Sequence, residues 1–571
     1  MAMSGADILV RSLKDLGVQR VFGYTGAAIL PVMDELARQG VRILVSANEQ
    51  SAAFAAAGFS RAGGGVGVAI VTSGPAITNT LTAVADAFAD SVPLLVIAGQ
   101  VPKRKIGTDS FQHIAVSRVF GSTAKRVVAV GSVDEIETAV KDAWALAQAG
   151  KPGPVVIDLP IDLQRESSSY RGKDRAFFEE VYKDETHLSP EQRRRFFELL
   201  SGAKRPLLYL GGGLSNPEGS RAIRRFNERF RIPVVNTLMG KGVIDETSPE
   251  ALGMLGMFGA PCPNMVIQEN DFFFAIGVRW DDRVADKVGF AIQATIAYID
   301  INPAKVRQIR EERAPGFSLI GDAAVLLDEL SDYAEAHDIH LSIDEWRQQC
   351  VTVKRQWPLD YNRTAEALQQ AEIIAHLDEL LPAEAIVTTG VGNHQMLAAQ
   401  RLRMKTPRRF LTSGSFGTMG FGLPTAVGAH FAQPDAMVLV IDGDGSLRMN
   451  LGELYTIGSQ RLPIKVLLLN NLSDGMVRNL ENSAYGGRHS ATTRDFDADF
   501  SVVARTLGFS HSRRITRRTE LARALREFLD ATGPALLEAR TDIDEAVYPV
   551  VPAGCSYKDM VLGPYIRRVD A

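Results

Sequence analysis

Cysteine is scarce in this chain. Cys262, Cys350 and Cys555 are the only three in 571 residues, and their spacing suits neither a metal nor a pairing scheme. That excludes a disulfide framework and points to a reducing compartment. An excess of one charge is also missing. Lys and Arg number 63 against 67 Asp and Glu, a net charge of −4 with no basic block, which argues against nucleic acid or an acidic membrane as partner. No apolar run is long enough to span a bilayer, and the opening MAMSGADILVRSLKDLG enters an amphipathic helix without a secretory or transit pattern; the expectation is a cytoplasmic protein. What is present is ordinary globular composition, 46% hydrophobic and 23% charged, in a length that suits roughly three or four domains.

The expected fold class is α/β, with three doubly wound parallel-sheet domains. Residues 1–165 alternate helical runs with strands at 41–46, 66–72, 94–98 and 154–159, each followed by a Gly-rich or polar turn. Residues 166–190 are polar and aperiodic and read as a linker. A second unit, 191–340, places strands at 206–210, 234–236, 272–276 and 297–301, with a GGG turn at 211–213. The charged stretch 341–368 reads as a second linker. The third unit, 369–571, has strands at 385–388, 437–441 and 464–469, and its layout matches that of the first.

The chain is organised around residues 437–471. Two apolar runs, read as buried parallel strands, flank a crossover helix expected at 451–460. Asp444 follows the first strand and Asn471 the second, so both oxygen-bearing side chains meet at one sheet edge, where open α/β sheets bind ligands. Gly443 and Gly445 let a ligand approach the backbone. Gly-Asp-Gly alone makes many plain surface turns. With flanking strands and a terminal Asn-Asn it resembles the GDG…NN signature of thiamine-diphosphate enzymes. The resemblance implies that Asp444, Asn471 and the Ser473 carbonyl hold the Mg²⁺ that clamps the cofactor's diphosphate. Mg²⁺ prefers oxygen and takes few ligands from protein.

Other motifs extend the likeness. Glu49 lies just past the strand at 41–46, where a carboxylate is ordinarily a solvated loop group or a helix N-terminal partner. VTSGPAITN, DSVPLLVIAGQVP and IGTDSFQ follow in order, with Phe111 and Gln112 in the last. NTLMGKG at 236–242, LGMLGMFG at 252–259 and GVRWDDRVADK at 277–287 occupy the middle unit, and TTGVGNHQM, SGSFGTMG and GMVR the third. Taken singly these are weak. Arg279, Asp281, Asp282 and Arg283 serve as well for a surface ion-pair cluster, and a Met such as Met419 is usually core filler. The ordered set resembles the large subunit of acetohydroxyacid (acetolactate) synthase over about residues 5–565.

That resemblance implies three cofactors: thiamine diphosphate, Mg²⁺ and FAD. Glu49 would hydrogen-bond N1′ of the aminopyrimidine, with burial favouring the protonated carboxyl. Phe111 and Gln112 would wall the substrate. Asn393, His394, Gly443, Gly445, Ser446 and Met476 would line the diphosphate, Gly417 would receive the 4′-amino group, and Met419 would bend the cofactor. Lys151, Gly211, Gly212, Thr237, Leu238, Arg279, Asp281, Arg283, Asp300 and Asp322 would face FAD, which marks the biosynthetic, branched-chain amino acid branch. The implied reaction is a carboligation of pyruvate with a second 2-keto acid, in a homodimer or homotetramer whose sites join two chains, with a small regulatory subunit as a further partner. Thr25, Ala27, Ala76, Ile77, His113, Lys151, Ile161, Phe258 and Leu480 depart from the family pattern. Beside acetolactate synthase, the altered Thr25, Ile161 and Leu480 motivate a second reading, an acyloin synthase using an aldehyde, ketone or other keto-acid acceptor, and a flavin-dependent pyruvate oxidase is a third. A non-catalytic paralogue is opposed by the intact Glu49, Asp444 and Asn471.

Overall fold

The computed structural model describes residues 2–570 apart from 64, 182–185, 285–288 and 292. The last positions of the expected 277–287 segment, and residues 182–185 of the expected linker, therefore lie outside the described residues. Three six-stranded sheets form the frame, and every strand pair in them is parallel.

The first sheet holds β1 (Arg20–Gly23), β2 (Arg42–Val45), β3 (Gly67–Val71), β4 (Leu94–Gln100), β5 (Arg126–Ala129) and β6 (Pro154–Pro160), in the order β2-β1-β3-β4-β6-β5. The middle sheet holds β7 (Pro206–Leu210), β8 (Val234–Asn236), β9 (Ala251–Met254), β10 (Phe272–Ile276), β11 (Thr295–Asp300) and β12 (Phe317–Ile320), in the order β9-β8-β7-β10-β11-β12. The third holds β13 (Ile386–Thr389), β14 (Phe410–Leu411), β15 (Val438–Gly443), β16 (Ile464–Asn470), β17 (His511–Ile515) and β18 (Ala535–Arg540), in the order β14-β13-β15-β16-β18-β17. The outer sheets thus share one topology, 2-1-3-4-6-5 in each sheet's own numbering. The middle sheet has the 3-2-1-4-5-6 order of dinucleotide-binding folds.

Central strands such as β4 and β16 are buried along their whole length, as parallel strands covered on both faces must be. The outer domains meet through two helices poor in large side chains, Glu49–Gly63 and Gly422–Ala432. A Cβ on Gly428 would lie 1.8 Å from the Ala55 carbonyl oxygen and one on Gly58 2.3 Å from that of Thr425. Only glycine allows this approach. Phe54 and Phe421 seal it edge to face, with ring centroids 5.4 Å apart.

Three expectations are corrected. The crossover between β15 and β16 is two helices, Asp444–Met449 and Glu453–Ser459, and the first begins at Asp444 itself. The stretch 166–190 is no free linker: Ser167–Ser169 pairs antiparallel with Ala2–Ser4, and Arg175–Val181 is helical. The stretch 341–368 carries the helix Asp344–Gln356, whose Trp346 and Cys350 are buried in the middle core; Trp346 Nε1 donates to the Pro206 carbonyl at 2.9 Å. Both stretches look polar because their apolar anchors are few and widely spaced.

Candidate active site

In the third sheet the strand order reverses between β13 and β15, and the turns leaving these strands carry Asn393-His394 and Gly443–Ser446. Asp444 is 1% exposed, and among the described residues neither carboxylate oxygen has a hydrogen-bond partner. Arg494 Nη1 lies 3.2 Å from its Oδ2 without the alignment of a hydrogen bond. Burial pushes the Asp444 carboxyl up, the Arg494 cation opposes it, and the neighbouring Asp474 adds to the rise. A buried carboxylate that no hydrogen bond satisfies is costly, and one guanidinium beside Oδ2 leaves Oδ1 free for a further ligand.

Asn471 follows β16 and is buried; its Oδ1 accepts the Ser473 N–H at 3.1 Å and keeps a second lone pair. A Cβ on Gly475 would stand 2.7 Å from Asn393 Nδ2 and 3.0 Å from Asn471 Nδ2, so the two asparagines converge on that glycine. Met476 lies half-buried beside it. His394 is fully buried, and burial lowers its pKa to about 3, so its imidazole is neutral. Its Nε2 has no hydrogen bond among the described residues, although Asp442 Oδ1 is 3.5 Å away. A Cβ on Gly443 would lie 2.9 Å from His394 Nδ1, and one on Gly445 2.2 Å from Asp474 Oδ1.

No group of three His, Cys, Asp or Glu side chains suited to a metal occurs among the described residues. Mg²⁺ does not need one. A carboxylate, an amide oxygen and a backbone carbonyl, completed by phosphate and water, is an ordinary set for it. A cavity of about 490 Å³ opens beside Asp444, but its other walls, including Arg448, Arg494 and Phe496, differ from those of the crevice, so it lies behind the Asp444 turn.

The next turn of this edge is the loop between β14 and the helix Gly422–Ala432. Gly417 sits there with φ +66° and open space over its α-carbon, and Met419 is half-buried. The loop is pinned at Gly420, whose N–H donates to the buried Ser446 Oγ at 2.9 Å and whose carbonyl accepts from Asn450 Nδ2 at 2.8 Å. Ser446 therefore ties the loop to the Asp444 helix.

Glu49 opens its helix as expected, and its Oε2 accepts from Asn79 Nδ2 at 2.8 Å. The expected burial is not met within one chain, where Glu49 is partly exposed because nothing among the described residues covers that edge. Gln112 takes φ 57° and packs on Gly74, where a Cβ would lie 2.8 Å from its own. Phe111 is 87% exposed and walls no cavity among the described residues.

In the middle sheet the order reverses between β7 and β10. Gly211 and Gly213 leave β7, and Gly277 (φ +60°) leaves β10; a Cβ on Gly211 would lie 2.1 Å from the Gly277 carbonyl oxygen. Gly212 is exposed at the rim. The Thr237 hydroxyl caps the turn after β8, accepting the Gly240 N–H at 3.0 Å, and Leu238 is partly buried against the third-domain core. Lys151 reaches across from the first domain. Burial lowers its pKa, Arg279 lowers it further, and Asp300 and Asp90 oppose them. Burial likewise pushes the Asp300 carboxyl up. Asp322 and the charges at 279–283 have partners of their own within the chain. Asp322 is an exposed helix cap whose Oδ1 accepts the Ala324 and Val325 N–H groups, which accounts for it without a ligand. Arg279–Asp281 at 3.4 Å and Arg283–Asp282 at 3.7 Å form the surface ion-pair cluster that was the plainer alternative.

Comparison with known proteins decides the family. Residues 3–119 match the N-terminal TPP binding domain of thiamine pyrophosphate enzymes, 194–330 their central domain and 390–539 their C-terminal TPP binding domain. The chain is 39% identical over 562 residues to the acetolactate synthase isozyme 2 large subunit of Escherichia coli (strain K12), covering 98% of this chain and 99% of that one. It is 40% identical over 569 residues to the chloroplastic acetolactate synthase 3 of Brassica napus, covering 98% of this chain and 86% of that one. The chloroplastic enzyme of Arabidopsis thaliana is 39% identical over the same length, with 98% and 84% covered. The chain belongs to the acetolactate synthase family of thiamine pyrophosphate enzymes.

As a member of that family it is a thiamine-diphosphate-dependent enzyme. No helix among the described residues is long and apolar enough to cross a membrane. The motifs gave no role to Asp90, although it opens DSVPLLVIAGQVP, or to Asp86, both of which bind the 413–418 loop, to Arg61, which pairs with the two, or to Glu453, which is wholly buried and accepts the Ala47 N–H at 2.6 Å. The signal was available: Asp86, inside the small apolar helix Leu81–Ala89, is a charge with no reason to be buried unless paired.

Proposed function

We propose that this enzyme is an acetolactate synthase, converting two pyruvates and a proton into 2-acetolactate and carbon dioxide, with 2-ketobutyrate as an alternative acceptor. The observation that carries the reading is the buried Asp444 carboxylate at the strand-order reversal, satisfied by no hydrogen bond among the described residues and faced only by Arg494, with Asn471 beside it, in a chain alike end to end to acetolactate synthases. Thiamine diphosphate, when bound, supplies the nucleophilic carbon that takes the acyl carbon of a 2-keto acid and lets its carboxylate leave. The chain's own residues do the rest. Asp444, Asn471 and the Ser473 carbonyl would hold Mg²⁺, and the neutral His394 and Asn393 would face the diphosphate without adding charge. Gly417 and Met419 would set the bend of the cofactor, and Glu49 would hold a proton at N1′. FAD fits the middle crevice by sheet order and by its close-set glycines, with Lys151 and Arg279 as cations at its mouth.

One site joins two chains in this reading, a homodimer at least. Within the chain, Ser51 Oγ donates to Asn450 Oδ1 at 3.1 Å and the Ala47 N–H reaches Glu453, so the Glu49 segment docks at the far end of the helix that begins at Asp444. About 9 Å of helix separates the two ends. Glu49 itself stays partly exposed there, open to cover by a second copy. A small regulatory subunit and a cytoplasmic site of action complete the proposal.

Product analysis tests it. Acetolactate formed from pyruvate alone, dependent on added thiamine diphosphate and Mg²⁺, is the expected result. Slow turnover rescued only by an added aldehyde would favour the acyloin reading. Oxygen uptake at the rate of pyruvate loss would replace both with an oxidase.

A further inference from the structure

The loop that carries Gly417 is held from outside its own domain. Arg61 lies near the end of the helix that begins at Glu49, and its Nη2 is 2.7 Å from Asp86 Oδ1 and 3.0 Å from Asp90 Oδ2, with all three side chains at most 5% exposed. One guanidinium faces two buried carboxylates, and the loop supplies what is missing. Asp90 accepts the N–H groups of Gly414 at 3.0 Å and Ser415 at 2.8 Å. Asp86 Oδ2 accepts the Ser413 hydroxyl and, at 3.0 Å, that of Thr418. Moving the loop would strand buried charge, which is strongly destabilising.

The same loop and the same first-domain helix also touch the middle crevice. A Cβ on Gly414 would lie 2.3 Å from Met239 Sδ, in the turn capped by Thr237. Lys151, at the mouth of that crevice, donates to the Phe88 carbonyl at 3.4 Å, between Asp86 and Asp90 in sequence. Two crevices that share one loop and one helix are not independent.

We infer that Arg61, Asp86 and Asp90 are positioning residues that couple the flavin crevice to the thiamine site through the 413–418 loop. The inference rests on the cofactor assignments proposed above. A flavin that orders the Met239 turn and Lys151 favours one placement of the loop, and that placement is the one that seats the aminopyrimidine. By linkage the effect is mutual: each cofactor raises the affinity for the other by the same factor.

The experiment is a binding cycle. Thiamine diphosphate affinity, with Mg²⁺ at a fixed concentration, is read by quenching of tryptophan fluorescence in flavin-free and flavin-saturated protein. FAD affinity is then read with and without thiamine diphosphate. The wild type is expected to show about 5-fold or greater tightening in both directions. Asp90→Asn is expected to bring that factor close to one while each cofactor still binds alone. Ser413→Ala, which keeps every charge, is expected to reduce the factor in part, and it serves if Asp90→Asn does not fold. Equal thiamine diphosphate affinity with and without FAD in the wild type would overturn the coupling and leave the cofactor assignments standing. Undiminished coupling in Ser413→Ala and Asp90→Asn would overturn the role given to these residues. Failure of FAD to bind would overturn the assignment of the middle crevice, and the coupling with it.

Discussion

Glu453 is wholly buried, one of its oxygens accepts the Ala47 N–H, and the other has no partner among the described residues. Burial raises its pKa from 4.5 to about 7, so the folded chain holds this proton more tightly than the unfolded one does. Its contribution to stability is therefore whole below about pH 4.5 and is lost as the pH rises to about 7. A tenfold difference in proton affinity between the folded and unfolded chain is worth about 1.4 kcal/mol. Between pH 5 and pH 8, Glu453→Gln should thus avoid a loss of up to about 3 kcal/mol that the wild type suffers. Urea titrations of both proteins at the two pH values would show it, and a parallel decline would refute it. Glu49 calls for a different test. Glu49→Gln keeps the shape and removes the exchangeable proton, so turnover should fall about 10²- to 10⁴-fold. Thiamine diphosphate affinity should stay within a few-fold, since the diphosphate end carries the anchoring. Loss of binding in step with loss of rate would make Glu49 a structural residue. These two carboxylates differed in legibility. Glu49 was readable because a motif surrounds it, whereas Glu453 lies in a helix with no motif and is defined by its long-range contact with Ala47.

At the scale of elements, the crossing of Glu49–Gly63 with Gly422–Ala432 is the contact most exposed to a single methyl group. Gly428→Ala would drive a Cβ to 1.8 Å from the Ala55 carbonyl, and backbone cannot yield as a side-chain tip does. Overpacking of this kind costs about 1–3 kcal/mol, and thermal unfolding should show a clear drop in midpoint. Gly17→Ala is the control for local strain: its φ of +83° is also unfavourable to alanine, but no atom lies within 4 Å of the added methyl. Neither glycine is marked in the sequence. The buried strands were legible because burial on both faces leaves a continuous apolar run, as in β4, β7, β10 and β16. The strands that escaped were mostly sheet edges: β5, β9, β12, β14 and β17. β17 is HSRRI, with one fully buried residue in five, and β14 has only two residues. An edge strand owes its place to its neighbour's hydrogen bonds more than to its own side chains. β1 and β18 are interior strands that escaped for another reason: β1 has four residues, and β18 ends in Glu538-Ala539-Arg540 because Glu538 is buried against Asn470.

The whole molecule repeats one sheet topology at its two ends and inserts a dinucleotide-type sheet between them, yet a single copy leaves its chemistry open. Glu49 is partly exposed, Phe111 is 87% exposed, and Phe416, Met449, Val477 and Leu480 are each at least 50% exposed around the same edges. An apolar rim beside the groups proposed for catalysis is what a second copy would cover. If each site takes Glu49 from one chain and Asp444 from another, two dead variants must be able to rescue each other. Glu49→Gln and Asp444→Ala homodimers should each be inactive. In a mixed dimer, one site collects both lesions and the other collects neither. With free exchange of subunits in an equal mixture, specific activity should recover to about a quarter of wild type, since half the dimers are mixed and each has one intact site. The rescue should follow the kinetics of subunit exchange and vanish if the dimers are cross-linked before mixing. A site built within one chain gives no rescue at any ratio, because every copy then keeps its own lesion.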